Sequence, residues 1–245
     1  MKQPRITRKT KMEQGIAPTP KPNEVSKVFN KLNQFIYTPK QEDFSNTIHG
    51  NIITFVNGTA GCGKTSVTLK TFLEYYLKDN SLNLIIIRTP AEVGCDKIGF
   101  LPDGIDAKLE PHFASTRKIL EDFIGKGKLE ADLGKRIHFT IPNMQLGATW
   151  DNSLVLIDEA QLLQPIIMKL LLERIGENTK VVVSGSSSQI YTSDHNTRSG
   201  MNDAIGKFFN KDKEPLFDNI EYFEFTSEDT MRSDIVKSVL KAYGE

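Results

Sequence analysis

Along this chain the apolar positions change period several times, and each change marks an element. From Asn23 onward Val25, Val28, Phe29, Leu32, Phe35 and Ile36 recur at three- and four-residue steps behind a capping Asn23, which predicts a helix with one apolar face. Pro39 ends it, and a short second helix runs to about His49. Uninterrupted apolar runs follow at 52–56, 82–88, 154–157 and 181–183, with less regular ones at 136–141 and 220–225. Runs this short suit strands buried on both faces of a parallel sheet. Helical patterns lie between them: SVTLKTFLEYYL after residue 65, His112 to Ile124, a small piece after GKGK, Pro165 to a stop at Gly176, residues 198–210, and a closing amphipathic stretch ending after Tyr243. Residues 91–111 carry glycines, prolines and charges without a period, and read as a long loop. Strands alternating with helices predict an α/β fold, a mostly parallel sheet of five or more strands joined by right-handed helical crossovers.

Composition narrows this picture. A chain of 245 residues can bury a substantial core as one domain, and the change of pattern at Asn23 divides it into a polar, basic tail over 1–22 and a domain over 23–245. The tail, with Lys2, Arg5, Arg8, Lys9, Lys11 and Lys21, is expected to be disordered, either simply solvated or touching nucleic-acid phosphates. Thirty-one basic and 31 acidic residues cancel, so no global field announces a polyanionic partner. Cys62 and Cys95 form no CxxC pair, the four histidines show no metal-ligand spacing, and no apolar run approaches the roughly 18 residues of a membrane span. The expectation is a reduced, cytoplasmic protein without a membrane segment.

The chemistry is concentrated at two strand ends. After the strand at 52–56, Gly58, Gly61, Gly63, Lys64 and Thr65 fill every fixed position of G-x-x-x-x-G-K-[ST]. Phosphate oxygens need several backbone N–H groups turned inward, which glycines permit. Gly58, Thr59, Ala60, Gly61, Cys62, Gly63, Lys64, Thr65 and Ser66 are therefore the expected phosphate cradle, with Lys64 reaching the β/γ-phosphates and the Thr65 hydroxyl on Mg²⁺. After the strand at 154–157, Asp158 and Glu159 stand where ligands of open parallel sheets bind. Asp158 is expected to support Mg²⁺ and Glu159 to orient the water that attacks ATP. Gln189, in the polar loop after the strand near 181, either senses the γ-phosphate or caps a turn. Gln41 offers an amide able to pair with adenine.

With those residues in view, the chain resembles the PhoH family of P-loop ATPases, whose core is similar to superfamily 1 helicases. The likeness covers about residues 25–243. It rests on Gln41, GTAGCGKT at Gly58, RTPAEVG from Arg88, KIGFLP from Lys97, Lys108 and Pro111, DEAQ from Asp158, LLERIG from Leu171 and TSEDTMRSDIV from Thr226. The short form with a tail resembles versions carried by bacteriophages, which would place the protein in the host cytoplasm. The sequence departs from the family where Ser186 follows Gly185 in place of an aspartate, and where Pro102-Asp103-Gly104 is one residue longer than expected.

The resemblance implies Mg²⁺-dependent ATP hydrolysis in a RecA-like P-loop fold, coupled to single-stranded RNA or DNA, in a homo-oligomeric ring with a hexamer among its candidates. Arg88, Lys97 and Lys108 would face nucleic acid. Arg232, and after it Arg174, are candidates for an arginine reaching the transferring phosphate from a neighbouring subunit; the alternative for each is a surface ion pair or a helix cap. A second reading, favoured by Ser186, is a nucleotide-regulated binding or assembly protein whose slow hydrolysis is a timer. A small-molecule phosphotransferase is the third, against which DEAQ argues.

Overall fold

The computed structural model describes residues 31–89, 105–186 and 199–242. The tail over 1–22 lies outside them. Of the helix expected from Asn23, residues 31–34 are described and helical, with Leu32 buried.

Among the described residues six strands form one sheet: β1 Ile53–Asn57, β2 Asn83–Arg88, β3 Ile137–Thr140, β4 Ser153–Asp158, β5 Lys180–Gly185 and β6 Ile220–Glu224. Their order is β3-β2-β4-β5-β1-β6, and every neighbouring pair is parallel. The sheet is thus parallel throughout. Its strands read as unbroken apolar runs because both faces are covered. Val56, Leu84, Ile86, Leu154, Leu156 and Val182 enter one core, while Phe55, Ile85, Ile87, Val155, Ile157 and Val183 enter the other.

Handedness decides which helix covers which face. The chain moves from β1 out to β2 and on to β3, then returns through β4 and β5 to β6. Right-handed crossovers in opposite directions must pass on opposite faces. Accordingly the first core takes Phe44 and Ile48 of α1 (Pro39–Gly50), Leu69, Phe72 and Tyr76 of α2 (Lys64–Tyr76), Leu120 of α3 (Ile105–Ile124) and Leu129 of α4 (Lys126–Asp132). A one-turn α5 (Pro142–Gln145) precedes β4. The second core takes Met168 and Leu171 of α6 (Pro165–Leu172) and Met201 and Ile205 of α7 (Gly200–Phe208). A last helix, α8 (Asp234–Ala242), closes the described chain, with Ile235 and Val239 exposed on it.

Two expectations are corrected. The loop expected over 91–111 ends earlier, because α3 begins at Ile105 and carries Pro111 inside it. Pro111 occupies the seventh position on an exposed side, so its cost is one missing N–H bond to the first turn rather than a break in a packed helix. Also, α6 stops at Leu172 rather than running to Gly176. There Trp150 N donates to Arg174 O at 2.7 Å and Gly176 N to Trp150 O at 2.9 Å, which draws residues 174–176 alongside the approach to β4. A side chain at Gly176 would collide with the Asp151 carboxylate.

Candidate nucleotide site

Strand β1 delivers the chain to Gly58 at the C-terminal edge of the sheet, and α2 carries it away from Lys64. Between them Gly61 and Gly63 hold φ of +90° and +94°, left-handed values that cost other residues about 1–2 kcal/mol each. Gly63 provides no capping side chain, so the first N–H groups of a 13-residue helix are directed into the loop. The Lys64 ammonium lies inside the loop and donates to Gly58 O at 2.5 Å and Thr59 O at 2.9 Å. An entering phosphate would offer it a full negative charge in place of two neutral carbonyls.

Strand β5 separates β1 from β4, so the acids of β4 stand one strand away from the loop, beneath the start of α2. Thr65 Oγ1 reaches to 3.5 Å from Asp158 Oδ2. Asp158 is buried, and burial pushes its carboxyl above the ordinary range. The Arg88 charge pulls the other way, the Glu159 charge adds to the rise, and the Glu159 backbone N–H and Lys64 lower it. Among the described residues no three His, Cys, Asp or Glu side chains group to hold an ion by themselves. One hydroxyl and one carboxylate are the sparse donor set a Mg²⁺ ion takes when water and phosphate oxygens supply the rest. Ser184 also fits. Its register puts it beside Val56, one step beyond the Ile157–Val183 pair and therefore on the Asp158 side of the sheet, and its hydroxyl is buried with no partner. A metal-held water would satisfy it.

Comparison with known proteins identifies the family. The sequence profile of the PhoH-like protein family matches residues 36–244, most of the chain. The chain belongs to the PhoH-like protein family. Similar curated relatives include a PhoH-like protein of Bacillus subtilis, 29% identical over 209 residues, and Protein PhoH of Escherichia coli K12, 28% identical over 207. The matches cover 85% and 83% of this chain but 63% and 56% of the relatives, so the chain spans about three-fifths of their length. Solved structures with some likeness include the Pyrococcus furiosus Hef helicase domain, with a TM-score of 0.43 and 12% identity over 75% of this chain and 37% of that one. The DNA-bound DUF1998 helicase MrfA gives a TM-score of 0.45 with 10% identity over 85% and 30%.

In this PhoH-like chain the remaining candidates fall into distinct places. Glu159 has φ +55°, an uncommon conformation that turns the chain from β4 into a single 3-10 turn over Ala160–Leu162. Its Oε1 accepts from Arg88 Nη2 at 3.2 Å and its Oε2 from Gln161 Nε2 at 2.8 Å. Gln161 is itself buried; its Oε1 accepts from Ser186 N at 3.2 Å, and with Met201 it fills the space above Gly185 where a side chain would stand. Gln41 braces the loop from α1: with Thr38 it completes a capping box, and its Nε2 donates to Cys62 O at 3.1 Å. Cys62 is buried, which pushes its thiol up, and it donates to Thr59 O. Ala60 and Ser66 lie half-exposed beside these residues.

Residues 225–232 run along the same loop. Phe225 N donates to Asn57 O at 2.9 Å, Thr230 Oγ1 shares a hydrogen bond with Thr59 Oγ1 at 3.0 Å, and Met231 N donates to Gly61 O at 3.1 Å. Arg232 consequently lies against Gly61 of its own chain, where an added Cβ would stand 2.5 Å from its Cγ. Arg174 is elsewhere. It precedes β5, at the N-terminal end of the strands, and its Nε donates to Leu170 O at the end of α6. Gln189 and Lys97 lie outside the described residues, as does the side chain of Lys108. A cavity of about 540 Å³ lined by residues such as His138, Trp150 and Asp151 lies against β3 and holds none of the loop residues.

The sequence did not mark Gln161, Ser184, Thr230 or Met231 as parts of the site. Gln161 follows Glu159 by two, a spacing that brings side chains to one face in a strand but not in a helix; here the two lie past the end of β4 and meet at the turn that the left-handed Glu159 begins. Thr230 and Met231 stand some 170 residues from the loop, and only the pairing of β6 with β1 brings them to it.

Proposed function

We propose that this chain is a Mg²⁺-dependent ATPase that works on, or in response to, single-stranded RNA or DNA. The observation that carries the reading is the alignment of Lys64, Thr65, Asp158 and Glu159 at the ends of two strands separated by one, beneath a helix N-terminus. The amides of the loop and Lys64 take the phosphates, and Thr65 and Asp158 would hold a Mg²⁺ ion, which would supply charge stabilisation to the phosphates. Glu159 orients a water toward the γ-phosphate and accepts its proton. Arg232, already seated on Gly61, offsets charge on the leaving and transferring groups from within the same chain, and Gln189 is the sensor of the γ-phosphate. Gln41 is buried with its amide oxygen accepting from Thr38 N and its amide nitrogen donating to Cys62 O and Met231 Sδ, so it supports the loop rather than pairing with adenine as the sequence suggested. Lys97 and Lys108 join the nucleic-acid face. Arg174, at the opposite end of the strands, could reach a phosphate only in a neighbouring copy within a ring, and the bond it makes to Leu170 suits a helix cap.

The test is ATP turnover with and without a single-stranded oligonucleotide. Lys64→Ala is expected to lose both nucleotide binding and turnover, while Glu159→Gln keeps binding and loses turnover by several orders of magnitude. Hydrolysis that survives unchanged in Glu159→Gln would remove that residue from the mechanism. The second reading, a slow nucleotide-regulated assembly protein, is favoured by the two donors that engage Glu159. It predicts turnover indifferent to nucleic acid and nucleotide-dependent mass by light scattering.

A further inference from the structure

Arg88 is the last residue of β2 and stands opposite Asp158 in the parallel register. The sequence suggested an arginine facing nucleic acid. Instead its guanidinium turns inward, with Nη1 3.7 Å from Asp158 Oδ2 and Nη2 3.2 Å from Glu159 Oε1. Of the charges around Asp158, that of Arg88 does most to favour the ionised carboxylate against its burial. Both oxygens of Glu159 are engaged, one by Arg88 and one by Gln161. The same guanidinium has a way out: Nη1 donates to the exposed Ser115 Oγ at 3.3 Å, and the Arg88 side chain keeps 21% of its surface in solvent.

A divalent cation and Arg88 therefore seek the same pair of carboxylates, and like charges crowded there repel. A carboxylate already paired with a cation is also a weaker acceptor for a proton from water. We propose that Arg88 is a removable counter-cation of Asp158 and Glu159, one that restrains the site until a phosphodiester strand at the Ser115 edge draws the guanidinium outward. The regulation rests on the ATPase reading above. Arg88 acts here as a positioning residue: on the carboxylates it holds Glu159 away from water, and on a phosphate it releases Glu159 and leaves room for the metal. Arginine suits the exchange because its planar donors match carboxylate and phosphate equally well.

The experiment compares the wild-type chain with Arg88→Met and Arg88→Lys at matched melting temperature. Mg²⁺ is titrated against chain loaded with a fluorescent ADP analogue, and ATP turnover is followed with and without a single-stranded oligonucleotide. Arg88→Met is expected to bind Mg²⁺ several-fold more tightly, with Arg88→Lys between it and wild type. Basal turnover rises several-fold in Arg88→Met, and the oligonucleotide no longer increases it. Mg²⁺ affinity unchanged or weakened in Arg88→Met overturns the proposal, as does stimulation that persists at its wild-type size. If Arg88→Met melts early, Arg88→Gln retains a donor to Glu159 and is judged by the same outcomes. Mg²⁺ affinity is read without turnover, so a wild-type chain that hydrolyses nothing sinks the ATPase reading while the counter-cation is decided on Mg²⁺ alone.

Discussion

Asp158 carries a cost in the metal-free protein. Its carboxyl is held above the ordinary range by burial, so between the normal carboxylate value and the raised one the folded chain binds a proton that the unfolded chain has released. Stability is therefore greatest at the acidic side of that window and falls as pH rises through it. Asp158→Asn removes the titration: in EDTA its melting temperature should exceed that of wild type at neutral pH, with the gap closing toward about pH 4. Melting curves across pH check this, and a lower melting temperature for Asp158→Asn at neutral pH would contradict it. Gln161 works in the other direction, on chemistry rather than on stability. Gln161→Ala should lower kcat about ten- to a hundredfold with little change in KM, the size usual for a residue that orients a reacting group through a hydrogen bond. Steady-state kinetics separate the two parameters. The contact from Gln161 to β5 goes to the backbone N–H of residue 186, which any amino acid but proline supplies. Having Ser186 in place of an acid therefore leaves that link intact.

Elements were legible in the sequence wherever burial was symmetrical. β2, β4 and β5 are apolar on both faces because helices lie on both, and a continuous run is the signature of that state. The start of α3 was not legible, since Pro111 reads as a terminator and the residues before it lack a period. Nor was the end of α6, where a bridge to Trp150 outweighs helical propensity through Ile175. Pro111 supplies a test of this account. Pro111→Ala restores an N–H inside a 20-residue helix and is expected to stabilise the protein by about 1–3 kcal/mol. Chemical denaturation measures the gain; none at all would mean that the first turns of α3 contribute nothing to the fold. The glycine-lysine loop and the DEAQ acids were readable as a pair because each is local and follows a strand. Gln161, Thr230 and Met231 were not, because they join the site through a left-handed turn and a distant strand pairing, whereas Arg232 was marked by the family resemblance, as an arginine serving a neighbouring subunit.

At the scale of the whole molecule, the strand order brings both ends of the domain to one loop. Gln41, near the beginning of the described chain, and Met231, near its end, both contact the segment from Gly61 to Gly63. Arg232 is delivered there by the same chain, which changes what assembly must provide. If this arginine serves the phosphates in cis, turnover per chain should stay flat on dilution through any dissociation of an oligomer. A steep fall on dilution, with the fall abolished in Arg232→Ala, would instead assign it to a neighbour. The family model matches residues 36–244, a span that includes this loop.

The binding of residues 225–232 to the loop has a mechanical consequence. Three hydrogen bonds, from Phe225, Thr230 and Met231, staple the loop's outer strand of backbone to the segment that becomes α8 two residues after Arg232. A shift of the cradle on phosphate entry would therefore be passed through these bonds to the start of that last helix.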